Sequence, residues 1–184
     1  MVTRVRRARP EDARIVSAVA AETFELACPP GTAREAIEAF VSTHLAEERF
    51  AAHLHDAERV VLLADVDGEI AGYTMLVAGE PADPDVAAAV TGSPTVELSK
   101  CYVRDSFHGH GVATSLMAAS LEAAAQLGGA SVWLGVNQRN ERAIRFYEKS
   151  GFVRVGTKKF FVGDELHDDF VLEQHLDGAS RPPR

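Results

Sequence analysis

Residues 95–129 read TVELSKCYVRDSFHGHGVATSLMAASLEAAAQLGG, and three patterns follow one another there without a spacer. Thr95 to Arg104 alternates in the manner of a strand, His108-Gly109-His110-Gly111 is a glycine-rich turn, and about 111 to 127 is an alanine- and leucine-rich helix closed by Gly128-Gly129. A turn that feeds directly into a helix aims successive backbone N–H groups at one spot, where the helix dipole adds positive potential. A pyrophosphate is the natural occupant of such a spot, and a tight turn without a ligand is the competing reading. A dinucleotide-binding turn is disfavoured: G-x-G-x-x-G would need glycine where Thr114 stands, and this turn follows the fourth predicted strand rather than the first.

Toward the N-terminus, Ile70 to Val77 and Val60 to Ala64 read as strands joined by an Asp67-Gly68 hairpin turn. Residues 79–94 form an acidic, proline-containing surface loop with a short helical turn at 85–90. Residues 46–55 and 33–45 read as amphipathic helices, carrying Phe50 and Leu54, and Ile37, Phe40 and Val41. Pro29-Pro30-Gly31 breaks the chain before them, Pro10 opens a further helical stretch, and residues 3–8 alternate as a strand. Toward the C-terminus come a strand at Ser131–Val136, a helix over 140–150 ending at Gly151, and strands at Phe152–Val162 and Leu166–Leu176. One domain over 1–176 with a frayed tail, 177–184, is expected, built as a mixed sheet with helices on both faces.

The composition fits one globular domain: 184 residues, 46% hydrophobic and 25% charged. Nineteen Lys plus Arg against 27 Asp plus Glu give a formal charge of −8, which argues against nucleic acid as a partner and favours a cationic one. The basic start, Arg4 to Arg9, reads as a solvated edge strand rather than a nucleic-acid arm. Two cysteines in unlike contexts, no apolar run of membrane-spanning length and no signal-peptide opening point to the cytoplasm and to no membrane partner. His44, His53 and His55 cannot share one helical face, so no metal site is expected.

A second motif lies downstream, in Asn140, Ala143, Phe146, Tyr147, Gly151 and Phe152. Asn140 suits a helix cap, Ala143 leaves room for a ligand tail, and Gly151 supplies a positive φ at the helix end. Asn140, Ala143 and Tyr147 share one helical face. With His108-Gly109-His110-Gly111-Val112-Ala113, which is similar to the Q/R-x-x-G-x-G/A signature, this N-x-x-A-x-x-F-Y-x-x-x-G-F pattern resembles the GNAT superfamily of N-acetyltransferases. His108 departs from the usual Gln or Arg. The run Glu97 to Val103, Trp133-Leu134-Gly135-Val136, and Gly163-Asp164-Glu165 with Asp168 and Asp169 extend the likeness toward bacterial spermidine/spermine N-acetyltransferases, with Asn137 departing where Trp is expected.

The resemblance implies a GNAT fold of mixed α and β structure, with a mostly antiparallel seven-stranded sheet. It further implies acetyl-CoA as co-substrate, a small-molecule amine as acceptor, and homodimers as a common state. It assigns the co-substrate to the backbone of Cys101, Tyr102 and Val103, to the turn residues His108, Gly109, His110, Gly111, Val112, Ala113 and Thr114, and to Asn140, Ala143 and Tyr147. Tyr147 would protonate the leaving thiolate, and a backbone N–H near Cys101 or Tyr102 would hold the oxyanion. An alkyl amine, with a pKa of about 10, needs a base at neutral pH. By the two-residue strand period Glu97, Ser99, Cys101 and Val103 share one face, and Glu97 is the candidate base, a solvated or salt-bridged glutamate being the other reading. Cys101 reads as a buried structural thiol rather than a nucleophile. Protein lysine or N-terminal amines, an amino sugar, and a non-catalytic acyl-CoA-binding module are the alternative functions.

Overall fold

The computed structural model describes residues 1–177. The strands are β1 (Thr3–Arg7), β2 (Arg59–Val66), β3 (Glu69–Ala78), β4 (Thr95–Val103), β5 (Ser131–Asn137), β6 (Val153–Val162) and β7 (Glu165–His175). They form one sheet in the order β1-β2-β3-β4-β5-β7-β6, in which only the β4–β5 pair is parallel. The helices are α1 (Ala13–Ala27), α2 (Arg34–His44), α3 (Glu47–His55), α4 (Pro84–Ala89), α5 (Val112–Gln126) and α6 (Glu141–Lys149). Of the expected tail, residues 178–184 lie outside the described residues.

Helices cover both faces because the strands alternate two apolar sets. Val61, Leu63, Tyr73 and Met75 pack with α1 to α3 through Val16, Val19, Phe24 and Phe50. Val60, Leu62, Val96, Leu98, Val132 and Leu134 pack with Val112, Leu116, Met117 and Ala124 of α5 and with Ile144 of α6. Each of these large side chains contributes about 1.5–3 kcal/mol on burial. The basic N-terminal segment forms the edge strand β1, where Arg6 grips Asp12 with both guanidinium nitrogens, at 2.7 and 2.9 Å, and so ties β1 to the start of α1.

The acidic segment 79–94 is more than a surface loop. Val86 of α4 is fully buried against Trp133 and Val171, and Glu173 of β7, 1% exposed, accepts the N–H groups of Thr91 and Gly92 at 3.0 and 2.8 Å. Burial pushes the Glu173 carboxyl up, but these backbone donors and the hydroxyls of Ser131 and Thr91 outweigh it and hold it below the usual range.

Two irregularities shape the middle of the sheet. The parallel β4–β5 ladder covers only Thr95–Glu97 against Ser131–Trp133, so beyond it the two strands part and, among the described residues, the facing edge of Leu98–Val103 has no strand partner. Ser99 is also an extra residue opposite β3, because Met75 pairs with Lys100 while Leu76 pairs with Leu98.

Candidate active site

The Ser99 bulge overturns the single-face reading of β4. Glu97 pairs with Val77 and Tyr102 with Tyr73, on the face of α1 to α3, whereas Leu98, Cys101 and Val103 lie with the α5 cluster. One inserted residue reverses the alternation, so Glu97 and Cys101 stand on opposite faces. A cavity of about 550 Å³ is lined from both faces, by Cys101, Val103, Ala143 and Tyr147 on one side and by Glu97, Lys100, Tyr102, Lys158 and Asp169 on the other. It therefore runs through the sheet where β4 and β5 part.

At the α5 end, Gly109 and Gly111 have φ of +81° and +77°, a region costly for any residue with a Cβ, and a Cβ at either would meet nothing within 4 Å. Gly111 is the N-cap of α5 and offers no side-chain cap, and the first helical bond runs from Ser115 N–H to the Gly111 carbonyl. The N–H groups of Val112, Ala113 and Thr114 thus precede the helical ladder and are oriented for an anion. His108 braces the turn: its Nε2 lies 2.8 Å from the Val103 carbonyl and its Nδ1 3.1 Å from Asp105. Gly109, Gly111, Val112, Ala113, Thr114 and the His108 side chain line the cavity; His110 is exposed and outside its wall.

Asn140 caps α6, its side chain accepting the Ala143 N–H at 3.2 Å, and Asn140, Ala143 and Tyr147 all reach the cavity from that helix. Gly151 ends the helix at φ +101°. The Tyr147 phenol lies beside the Cys101 thiol, each influencing the other's titration. Burial pushes the Cys101 thiol up to about 12 and raises the Tyr147 phenol well above its ordinary value, with Cys101 adding to it. A thiol this hard to ionise is a poor nucleophile, which argues against an acyl-enzyme on Cys101. The phenol in turn keeps its proton at neutral pH.

On the opposite face, burial raises the Glu97 carboxyl while Lys158, Lys100 and Arg59 pull it down. Burial lowers the Lys100 ammonium, opposed by Glu97. Asp169 is 6% exposed, and burial lifts its carboxyl to about 6 against the pull of Lys158 and His167. Lys158 and the burial of Asp169 are not apparent in the sequence motifs, where Asp168 and Asp169 read equally as acids that attract a cationic amine or as parts of an exposed turn. The usable signal was strand period: Asp169 alternates with Val171 and Glu173 on the inward side of β7, whereas Asp168 faces out and pairs with Lys159. Among the described residues no group of three or more His, Cys, Asp or Glu is placed to hold a metal ion, and no helix is long and apolar enough to cross a membrane.

An uncharacterised N-acetyltransferase of Mycobacterium tuberculosis strain H37Rv is 46% identical over 165 residues, covering 90% of this chain and 98% of that protein. The fold is similar to that of a PaiA N-acetyltransferase from Thermoplasma acidophilum solved with coenzyme A, at a TM-score of 0.73 and 18% identity over 95% of this chain and 99% of the other. It is also similar to the ribosomal-protein-S18-alanine N-acetyltransferase of Escherichia coli, at a TM-score of 0.68 and 14% identity over 100% and 99% of the two chains. The acetyltransferase (GNAT) family model matches residues 21–152, which contain both the glycine turn and the α6 motif, and the chain belongs to that family.

Proposed function

We propose that the protein transfers the acetyl group of acetyl-CoA directly to a primary amine, and that the amine belongs to a polyamine or similar small cation. The carrying observation is the cavity that crosses the parted sheet, with an anion cradle at one end, the Tyr147 phenol beside Cys101 within it and buried carboxylates on the far face. The residues fit the co-substrate. Gly109 and Gly111 leave an open backbone surface for a pyrophosphate, and the unpaired edge of β4 offers amide groups to an extended, amide-bearing arm. Acetyl-CoA supplies an activated acyl group and a thiolate leaving group.

In this reading a β4 N–H near Cys101 or Tyr102 holds the developing oxyanion, and Tyr147 gives its proton to the departing sulfur. The amine enters from the side of Glu97 and Asp169. The net charge of −8 favours approach of a cation. Lys100 and Lys158 in the same cavity favour a second reading, an acceptor with an acidic group near its amine, such as an amino acid or the terminus of a peptide. Two free thiols, Cys28 and Cys101, agree with a cytoplasmic setting.

Release of free CoA thiol, followed with spermidine, spermine, an amino sugar, free amino acids and lysine- or α-amine-bearing peptides, tests both readings. Turnover of polyamines is expected, reduced about 10²–10⁴-fold in Tyr147→Phe. Turnover of amino acids or peptides alone would favour the second reading. Tight CoA binding by calorimetry without turnover would make the protein an acyl-CoA-binding module instead.

A further inference from the structure

We infer that Asp169 on β7 is the group that takes the proton from the acceptor amine, the role that strand β4 alone would give to Glu97. The inference rests on the direct-transfer reading above.

Three carboxylates lie inward on the face of α1 to α3, and their surroundings separate them. Glu173 is saturated by Thr91 and Gly92 and holds structure together. Glu97 is compensated by three cations, Lys158, Lys100 and Arg59, of which Lys100 lies on the same strand. Asp169 is as buried as a core residue, yet its Oδ1 has no hydrogen-bond donor and, among the described residues, no ion pair reaches it within 4 Å. An unpaired buried carboxylate is costly in a folded protein unless an external group completes it, and the acceptor ammonium is a donor of the right charge.

The path to Asp169 is also built. Gly135 stands on β5 beyond the last residue paired with β4, and it lines the cavity. A Cβ there would come within 3.3 Å of Asp169 Oδ2 and 3.2 Å of Lys158 Cδ, so glycine leaves the carboxylate open toward the gap without displacing either side chain. The charged and titratable groups around Asp169 are Lys158 on β6, His167 and the outward-facing Asp168 on β7, and Tyr102 on β4. From β5 the residues on this side are Gly135 and Asn137, which do not titrate. Held near 6 by burial, the carboxylate is ionised at neutral pH and more basic than an ordinary aspartate.

The protons and electrons then balance. Asp169 takes one proton from the ammonium, and the freed lone pair forms the C–N bond to the acyl carbon. The C–S bond breaks with its electron pair on sulfur, which takes the Tyr147 proton. The second proton shed by nitrogen restores Tyr147, and Asp169 returns its own to solvent. Ammonium and thioester become amide, thiol and one released proton.

The test compares wild type, Asp169→Asn, Asp169→Glu and Glu97→Gln across pH, with spermidine and with an amino acid as acceptors, alongside melting temperatures and CoA affinity. Asp169→Asn should lose about 10²–10⁴-fold in kcat/KM for the amine at pH 7, with CoA affinity unchanged. Its deficit should shrink as the pH approaches the amine's own pKa of about 10, where the acceptor needs no base. Asp169→Glu should recover part of the rate, and Asp169→Asn should melt no lower than wild type. A pH-independent deficit, a lower melting temperature that accounts for the loss, or the same pH-dependent deficit in Glu97→Gln instead would overturn the assignment to Asp169. So would wild-type rates in Asp169→Asn, and in each of these cases direct transfer would stand. A wild-type enzyme that turns over no amine would remove the transferase reading and this inference with it.

Discussion

Gly111 combines two demands in one residue: a φ of +77° and a backbone that is bare toward an anion. Gly111→Ala should therefore cost about 1–2 kcal/mol of stability from the left-handed backbone alone. Calorimetry should show weaker CoA binding as well, because the first turn of α5 would be displaced. Asp169 carries the opposite kind of strain. Its folded pKa, about 6, lies above its ordinary 3.8, so between these values the folded state binds more protons and stability falls as pH rises. The penalty is complete above about pH 6 and absent well below 3.8. Asp169→Asn should accordingly raise stability by about 1–3 kcal/mol at pH 7.5, with the gain vanishing near pH 3, as followed by urea unfolding at each pH. A residue whose removal stabilises the fold is retained for function.

At the scale of elements, the bulge in β4 and the clamp on β7 set what each strand presents. Ser99 turns Glu97 toward the face of α1 to α3 and Cys101 toward α5 and α6, so one strand lines the cavity from both faces. Glu173 draws the end of the α4 segment onto the sheet beside Ser131. Its carboxyl is held below its ordinary 4.5, so its contribution is present above that value and is lost as pH falls through the lower folded one. Glu173→Gln should lower the melting temperature at pH 7, with the difference closing only as the pH falls from 4.5 through the lower folded value and the wild-type carboxyl is protonated. On α6, Asn140→Ala removes the cap on Ala143 N–H and should cost about 0.5–2 kcal/mol. It should also raise the KM for acetyl-CoA, since that helix carries Ala143 and Tyr147 into the cavity.

At the scale of the whole molecule, the sheet is divided by the single parallel junction, and the cavity occupies the division. The two ends of the cavity also differ electrically: backbone donors at the α5 terminus face one, and Glu97, Asp169, Lys100 and Lys158 line the other, in a chain of net charge −8. Raising ionic strength from about 20 to 200 mM, which shortens the screening length to under about 10 Å, should raise the KM for a polycationic acceptor, as measured from initial rates. For a zwitterionic acceptor held by Lys100 or Lys158 at short range, the salt dependence should be weak.

The sequence by itself determined the order of the elements, the glycine turn before α5 and the α6 motif, because each depends on neighbours within one or two turns of chain. Glycine at Gly109 and Gly111, the cap at Asn140 and the inward row of α6 are local facts. Which face each residue of β4 takes was settled only by the tertiary structure. Strand period predicts one face for Glu97 and Cys101 until a bulge, visible only in the register against β3, separates them. Asp169 reads as one of two adjacent acids until β5 and β6 close over it, for burial and the absence of a partner are properties of what surrounds a side chain and not of its position in the chain.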